Sequence, residues 1–401
     1  MNVGIVTTWF ERGAAYVSRQ FEQVLEKDGN NVFIFARGGE SYAIGDPNWD
    51  KPNVTWATRC DYFILMSFMK SEFVNWIKKN SIELVIFNEQ RYYQPILWCK
   101  ELGVKSVAYI DYYTENTIPL FDAYDGLICN TKRHMSAFEH TGKALYIPWG
   151  TDTDLYKQTS MDLVNKDVVT FFHSAGMRPT RKGTGIFIEA LLKMKEPYKA
   201  IIHSQKSLKS EYPMLADGID DLIKNGKLEV VEKTVTAPGL YYMGDVYVYP
   251  SVLEGIGLTI AEAISSGLAC LTSDNPPMNE FIDSSFGTAI PIDRLYARED
   301  GYYWPQCHCN VEALAMIMDE YAANPTLVME KKRNARKYAE ENLSFEKNAS
   351  VMSEMLKEVR LSAVNTSLKN SINRYDFSGR KKFHKLYIMA GLYHILKRKH
   401  Y

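Results

Sequence analysis

The stretch Tyr249-Pro-Ser-Val-Leu-Glu-Gly-Ile-Gly-Leu-Thr-Ile-Ala-Glu-Ala263 decides how this chain folds. The residues leading into it, 245–250, are β-branched and aromatic and end at a proline, which predicts a buried strand. Gly255 and Gly257 let the backbone turn sharply and leave room for a ligand beside the main chain. A helix is predicted from Leu258 to about Ser266. The stretch therefore predicts a strand, a tight turn and a helix.

The start of this predicted helix is an anion site, because its first N–H groups, around Gly257, Leu258 and Thr259, have no partner within the helix. Glu254 precedes the turn, and Glu262 lies about one turn inside the helix. One carboxylate can accept hydrogen bonds from sugar hydroxyls and the other from a ribose diol, so the pattern suits a nucleotide-activated sugar. The alternative is an ordinary strand–turn–helix with one capping and one solvated glutamate.

The bulk composition is that of a globular protein with more than one domain. A chain of 401 residues is expected to form two or three domains. Its 46% hydrophobic and 24% charged residues are typical of soluble proteins. The net charge of −1 argues against a nucleic-acid binder that works through overall charge.

The six cysteines are scattered and lie mostly in apolar runs, which is typical of a reducing compartment. Cys307 and Cys309 are expected to be loop thiols, and a metal corner is the alternative. No signal peptide is visible, and no apolar segment reaches the roughly 18 residues of a membrane span. We therefore expect a cytoplasmic protein.

Apolar strands alternate with amphipathic helices along most of the chain, which predicts parallel sheets covered on both faces. In the first part, strands are expected near residues 2–9, 31–36, 84–87, 105–110 and 125–130. Ligands are expected at the carboxyl ends of such strands. The turn after the first strand lacks the G-x-G-x-x-G fingerprint, which counts against a nicotinamide or flavin enzyme.

The pattern Pro-Ser-x-x-Glu-Gly-x-Gly-x-x-x-x-Glu-Ala resembles the E-x7-E motif of retaining glycosyltransferases of family 4. This resemblance implies an α/β protein of the GT-B fold, with two Rossmann-like, doubly wound domains facing each other across a cleft, and a C-terminal helical extension. Residues 148–152 resemble the Pro-x-Gly-x-Asp segment that ends the first domain of that family. The implied domains are 1–150 on the acceptor side, 151–345 for the nucleotide-sugar, and C-terminal helices over 346–401.

The resemblance also implies a set of donor-binding residues. Relatives carry Gly-Arg-x-x-x-x-Lys-Gly after the first strand of the second domain; Lys182 matches, but Met177 replaces the arginine. Arg178 or Arg181 would then supply the second cation for the diphosphate, whose negative charge grows as the glycosidic bond breaks. The full set of expected donor-binding residues is Gly13, Arg178, Arg181, Lys182, Gly255, Gly257, Leu258, Thr259 and Glu262.

Two residues are expected to take part in catalysis. Glu254 would face the donor sugar, and Asp111 stands where the family often has a histidine. Asp111 would bind sugar hydroxyls or orient the acceptor; a helix N-cap is the alternative. Asn88, Glu89 and Arg91 follow a neighbouring strand and are expected on the acceptor side.

The function implied by the resemblance is retaining, metal-independent transfer of a sugar in surface polysaccharide synthesis. The donor would be a UDP- or GDP-sugar and the acceptor a glycan or a lipid-linked glycan; no cofactor is expected. Asp152 and Asp154 form a D-x-D triplet, for which metal binding is an alternative. A GT-B sugar-nucleotide epimerase and an inactive sugar-nucleotide or glycan-binding protein are rival functions. The replacements at Met177 and Asp111 keep the inactive protein open.

The last section of the chain, residues 374–401, is basic. Its eight Lys or Arg and one Asp give a net charge of +7, against −8 for the rest of the chain. The apolar run 383–396 would make a helix about 21 Å long, too short to cross a bilayer. Two interpretations stay open: a helix lying on an anionic membrane surface, and a terminal helix packed on the first domain.

Overall fold

The computed structural model describes residues 1–37, 42–58, 60, 66–157, 162–165 and 167–377. The predicted apolar helix at 383–396 lies outside these residues. The described chain divides into two compact units. Unit 1 holds Met1–Asn130, His134–Ile147 and residues 349–377, and unit 2 holds Thr131–Arg133 and Pro148–Asn348. The domain boundaries expected from the sequence, at 150 and 345, stay predictions.

Unit 1 is built on a seven-stranded parallel sheet with the order β3-β2-β1-β4-β5-β6-β7. The strand order reverses between β1 and β4, and ligands of such sheets bind outside the carboxyl ends of the strands at such a reversal. The strands are β1 (Asn2–Thr7), β2 (Asn31–Ala36), β3 (Val54–Trp56), β4 (Leu84–Asn88), β5 (Lys105–Tyr109), β6 (Gly126–Cys129) and β7 (Ala144–Tyr146).

In the described part of unit 1, four helices connect these strands. The first buries Val17, Phe21, Val24 and Leu25, whose spacing places them on one face against the sheet. The helices are α1 (Gly13–Lys27), α2 (Lys70–Lys79), α3 (Gln94–Leu102) and α4 (Lys132–Phe138), with short 3-10 turns at Ile118–Ala123 and Glu139–Thr141. The first two residues of α4 belong to unit 2.

Unit 2 contains a six-stranded parallel sheet with the order β10-β9-β8-β11-β12-β13 and a separate two-stranded antiparallel hairpin. The strand order reverses between β8 and β11. The strands are β8 (Thr170–Gly176), β9 (Lys199–Ser204), β10 (Leu228–Glu232), β11 (Val246–Tyr249), β12 (Ala269–Ser273), β13 (Gly287–Ile290), and β14 (Ile292–Tyr296) with β15 (Gln306–Cys309) in the hairpin. Cys307 and Cys309 are buried on β15, so their expected place in a loop was wrong.

The helices of unit 2 cover both faces of its sheet. They are α5 (Thr184–Lys193), α6 (Leu208–Glu211), α7 (Ala216–Lys224), α8 (Leu258–Ser265), α9 (Val311–Ala323), α10 (Pro325–Asn342) and α11 (Phe345–Asn348), with 3-10 turns at Pro213–Leu215, Tyr241–Met243 and Met278–Phe281. The apolar core between sheet and helices includes Phe171, Phe187, Val248, Leu271 and Leu314.

A buried ion pair joins α10 to the sheet of unit 2. Nζ of Lys332 lies 2.8 Å from Oδ1 of Asp245, and both side chains are 0% exposed. Asp245 also accepts from the N–H groups of Val164 and Thr170, and Lys332 donates to the carbonyl of Asp162. Both charged groups have several hydrogen-bond partners, so the buried ion pair is well compensated. It holds α10 at the amino ends of the strands, opposite their carboxyl ends.

After unit 2 the chain returns to unit 1 with α12 (Met352–Glu358) and α13 (Thr366–Phe377). The buried carboxylate of Asp376 accepts from the N–H groups of Tyr93 and Gln94, at the start of α3. Asp125 accepts from the N–H and hydroxyl of Ser362 and pairs with Lys100. These bonds hold the C-terminal helices on unit 1. No helix in the described part of the chain has the length and apolar composition needed to cross a membrane.

Candidate active site

Two loops of unit 2 meet at the carboxyl ends of β8 and β11, where the strand order reverses. Gly183 has φ +70, and a Cβ there would lie 1.9 Å from the carbonyl oxygen of Pro250. The backbone of Arg181 accepts from the N–H of Val252 (2.9 Å) and the hydroxyl of Ser251 (3.1 Å). Only glycine at 183 allows so close an approach of the two backbones. This explains why a glycine follows Lys182 in the sequence.

Glu254 is the centre of this site, although its side chain is buried and the residue is only 6% exposed. Its Oε1 accepts from Nζ of Lys182 (2.8 Å), the hydroxyl of Tyr249 (2.8 Å) and the hydroxyl of Ser251 (2.7 Å). Nη2 of Arg181 lies 3.6 Å from Oε2. Lys182 also donates to the hydroxyl of Tyr249. The carboxylate is therefore held by two cations and two hydroxyls.

These contacts set the charges of the site. Burial opposes ionisation of Glu254, but Lys182 and Arg181 outweigh it and hold the pKa of the carboxyl at about 2. Burial lowers the pKa of Lys182, with Glu254 acting in the opposite direction. Glu254 raises the pKa of Arg181. We conclude that a carboxylate and two cations coexist here at neutral pH.

The structure distinguishes the two arginines between which the sequence left a choice. Both arginines are exposed, but Arg181, with its side chain 44% exposed, lies beside Glu254, whereas Arg178 forms no ion pair with the described residues. Met177, which replaces the arginine of the family pattern, is exposed as well. Arg181 is thus the second cation of the site in this structure.

The helix predicted after the glycines begins as expected. Gly257, with φ +93, is the N-cap of α8, and Leu258 and Thr259 are its first residues. Their N–H groups have no acceptor within the helix, and the positive end of the helix dipole lies there too. A Cβ on Gly255 would meet no atom within 4 Å, so the backbone is accessible at that residue.

Glu262 lies one turn into α8 and is held by two tyrosines that the sequence analysis missed. Its Oε2 accepts from the hydroxyl of Tyr241 (2.6 Å), and its carboxyl also bonds the side chain of Tyr156. Burial raises the pKa of Glu262, while both tyrosines act to lower it. Both tyrosines come from irregular or 3-10 segments without a motif, so no local signal pointed to them.

His173 is a buried residue beneath this site that the sequence did not single out. Its Nδ1 lies 2.7 Å from the carbonyl oxygen of Val248, and its Nε2 lies 2.7 Å from Oγ1 of Thr184. Burial lowers the pKa of His173 to about 4. The neutral ring therefore joins β8 to β11 and to the first residue of α5.

In unit 1 a second polar cluster lies where β2, β4 and β5 end. Arg37 donates to the carbonyl oxygens of Asn88 and Glu89, both at 3.1 Å. The guanidinium of Arg91 lies 3.6 Å from the ring centre of Tyr112. Burial and then the charge of Glu89 raise the pKa of Asp111 to about 7, against the opposing effects of Arg91 and Arg37. Three charged side chains thus act on one titrating carboxyl.

Asn88 and Gly13, two further residues that the sequence predicted for the site, lie at or beside the start of α1. Asn88 is buried, and its amide donates to the carbonyl of Ala14 and the hydroxyl of Ser18, so it supports the start of α1. Gly13 is the exposed first residue of α1. The N-cap alternative for Asp111 does not hold, because the next helical turn begins only at Ile118.

Metal binding was the alternative for Cys307 with Cys309 and for the D-x-D triplet. The described residues contain no group of three or more His, Cys, Asp or Glu able to hold a metal ion. Within the D-x-D triplet, Oδ1 of Asp152 accepts from the N–H groups of Asp154 and Leu155. Its carboxylate is thus engaged in a local turn. Independence from metal stays a prediction.

Comparison with known proteins gives one family match over part of the chain and several similar structures. Residues 168–299 match the family model described as Glycosyl transferases group 1, and this region contains Lys182, Glu254 and Glu262. A glycosyltransferase from Rickettsia africae ESF-5 is similar in structure, with a TM-score of 0.69 and 16% identity over 89% of this chain and 99% of the other. The chain has the GT-B fold. The predicted pair of parallel-sheet α/β domains with C-terminal helices is thereby confirmed.

Two further GT-B proteins of similar structure were solved with ligands. Anabaena Alr3699/HepE, in complex with UDP and glucose, has a TM-score of 0.65 and 16% identity over 89% of this chain and 99% of its own. The pneumococcal O-GlcNAc transferase GtfA, in complex with UDP and GlcNAc, has a TM-score of 0.66 and 14% identity over 90% of this chain and 99% of its own. No curated protein sequence matches the chain.

Proposed function

We propose that this chain is a retaining glycosyltransferase of the family 4 type, which moves a sugar from a nucleotide-diphosphate donor to a glycan or lipid-linked acceptor without a metal ion. The observation that carries the proposal is the buried carboxylate of Glu254, held by Lys182 and Arg181 at the carboxyl ends of β8 and β11. The start of α8 follows it by four residues. Similar proteins crystallised with UDP favour a UDP-sugar.

The diphosphate of the donor would bind Lys182, Arg181 and the N–H groups of Leu258 and Thr259. Both cations pair with the single carboxylate of Glu254, which leaves one positive charge uncompensated among the three side chains. A bound diphosphate would take over part of this pairing, since it carries more negative charge than one carboxylate. The carboxylate of Glu254 would then accept hydrogen bonds from hydroxyls of the donor sugar. Glu262, oriented by Tyr241, would accept from the ribose.

In the transfer step the bond between the anomeric carbon and the β-phosphate oxygen breaks, and a bond from the anomeric carbon to the acceptor oxygen forms. The proton of the acceptor hydroxyl goes to the leaving phosphate oxygen on the same face of the sugar. The fixed cations stabilise the charge that collects on the phosphate. Glu254 is assigned no nucleophilic role, because its carboxylate is already strongly stabilised by two cations.

Asp111 and its neighbours in unit 1 would bind the acceptor. An ionised Asp111 accepts a hydrogen bond from an acceptor hydroxyl, and Arg91 supplies a donor to other hydroxyls. Burial and then the charge of Glu89 raise the pKa of Asp111 to about 7, so this carboxylate becomes available as the pH rises through that value.

The test uses Glu254→Gln with Glu312→Gln as control, because Glu312 forms an exposed ion pair on the surface of the same unit. Donors are first identified by thermal stabilisation with UDP-, GDP- and dTDP-sugars. We expect Glu254→Gln to lose sugar transfer by at least about 100-fold while still binding UDP, since a transition-state contact is removed. Wild-type rates in this variant would refute the proposal. Donor turnover without acceptor would indicate an epimerase, and binding without any turnover a binding protein.

We further propose that the basic section of the chain attaches the protein to the cytoplasmic face of a membrane, where surface polysaccharides are assembled. The support is the net charge of +7 over residues 374–401. A truncation after residue 377 keeps Asp376 and its bonds to α3. It should abolish binding to vesicles containing anionic lipids and leave the melting temperature unchanged. Unaltered vesicle binding, or unfolding of the truncated chain, would contradict this attachment.

A further inference from the structure

Arg133 is a buried arginine that no motif singled out and that the proposed reaction has not used. It is 4% exposed and belongs to unit 2 with Thr131 and Lys132. Its Nη2 donates to the carbonyl oxygen of Glu254 (2.5 Å), and its Nη1 donates to the carbonyl oxygen of Pro276 (2.6 Å). One guanidinium thus holds the loops that follow β11 and β12.

We propose that Arg133 is a positioning residue, which fixes the backbone of Glu254 so that the carboxylate meets the donor sugar in the reactive geometry. The inference rests on the proposed function and concerns the same site. Side-chain contacts with Lys182, Tyr249 and Ser251 hold the carboxylate. A diphosphate that engages Lys182 would remove one of these contacts, and the hold on the main chain by Arg133 would then orient Glu254 together with the hydroxyls of Tyr249 and Ser251.

The arginine is itself held in place from several sides. The carboxylate of Glu280 accepts from the N–H groups of Lys132 (2.6 Å) and Arg133 (2.9 Å) at the first turn of α4. The guanidinium lies 5.6 Å from the ring centre of Trp304 and 3.4 Å from the hydroxyl of Tyr302. Arg133 is therefore a rigid support.

A lysine cannot replace this arginine fully. The planar guanidinium presents separate N–H groups to two carbonyls, whereas an ammonium is a single point of donation on a flexible stem. Removing the side chain leaves the carbonyl of Glu254 without this donor and lets the loop move. A displacement of about 1 Å at a reacting group can cost about 100-fold in rate.

The experiment compares Arg133→Lys and Arg133→Ala with the wild type by kcat, KM for the donor and the Kd of UDP. We expect Arg133→Ala to lower kcat by about 10- to 100-fold with the Kd of UDP changed less than about threefold, since Lys182 and Arg181, which bind the diphosphate in the proposed function, are left in place. Arg133→Lys should lie between the two. Added guanidinium at millimolar concentration should partly restore kcat in Arg133→Ala, and methylammonium should restore less.

Several outcomes would overturn the role of Arg133. Wild-type kcat in Arg133→Ala would refute it, and so would a loss of UDP affinity that matches the loss of kcat. If Arg133→Ala does not fold, Glu280→Gln serves in its place, because it loosens only the backbone anchor. A smaller fall in kcat is then expected, and an unchanged kcat counts against the inference. If the wild type transfers no sugar from any donor, both the proposed function and the role of Arg133 fail. If the wild type is active and the variants show one of the outcomes above, only the role of Arg133 fails.

Discussion

The ammonium group of Lys182 lies 2.8 Å from Oε1 of Glu254, and the two side chains come from loops 72 residues apart in the chain. The cation that the proposed reaction needs is therefore paired with a buried carboxylate. Because a buried charge without a partner is costly, this pairing stabilises both charged side chains where they lie. It also makes the contribution of Lys182 measurable.

Replacing Lys182 by glutamine is expected to weaken UDP binding by about 10- to 100-fold, the size of one charge-assisted hydrogen bond. The measurement is titration calorimetry with UDP at fixed ionic strength. Lys193→Gln is the matched control, because Lys193 ends the next helix and pairs with Glu312 at the surface. Equal affinities of the two variants for UDP would show that Lys182 does not bind the donor.

Gly183→Ala is expected to destabilise the protein by about 3 kcal/mol, since a Cβ would collide with the carbonyl of Pro250 in a left-handed backbone. Gly176→Ala is the control: Gly176 has φ +55, but a Cβ added there would meet no atom within 4 Å, so about 1 kcal/mol is expected. Urea unfolding of both variants measures the difference. Similar free energies of unfolding in the two variants would show that the loops containing Gly183 and Pro250 can move apart at little cost.

Asp111 should make activity depend on pH near neutrality. Burial raises the pKa of its carboxyl to about 7, so the ionised form that accepts a hydrogen bond increases as the pH rises through that value. We expect kcat/KM to rise between about pH 6 and 8 in the wild type and to be low and flat over that range in Asp111→Asn. Asp122→Asn, at an exposed aspartate of the same unit, should behave as the wild type. An unchanged profile in Asp111→Asn would exclude Asp111 from the reaction.

His173 should make stability fall in mild acid. Burial lowers its pKa to about 4, from 6.5 in the unfolded chain, so between these values the unfolded state binds the extra proton. The contribution of neutral His173 to the free energy of unfolding is complete above pH 6.5. Up to about 3 kcal/mol of it is lost as the pH falls toward 4. His173→Gln cannot titrate, and the difference between its free energy of unfolding and that of the wild type should shrink with falling pH. A constant difference would contradict the buried neutral state.

The elements that position the site were predictable because their signals are local. The β-branched and aromatic run that forms β11 and the glycines before α8 lie within about twenty residues of each other, and the helix begins at Leu258 as predicted. Glu254 and Lys182 were likewise marked by short motifs. The hairpin of β14 and β15 was missed, since β14 exposes most of its residues and shows no buried alternation.

The contacts that hold the site in place were beyond the sequence. Arg133 bonds the carbonyl of Glu254 from 121 residues away, and the hydroxyl of Tyr241 reaches Glu262 across 21 residues. Such pairs depend on which loops the topology brings together, and an isolated arginine or tyrosine carries no mark of its partner. For the same reason the sequence left Arg178 and Arg181 equal.

The bonds of Asp376 to the start of α3 span more than 280 residues of chain, which makes unit 1 discontinuous and unit 2 an insertion within it. A fragment ending at residue 147 would contain all seven strands yet lack the carboxylate for Tyr93 and Gln94 and the serine that bonds Asp125. To express unit 1 alone, the gene must instead join residues 349–377 to residue 147 through a linker that replaces unit 2.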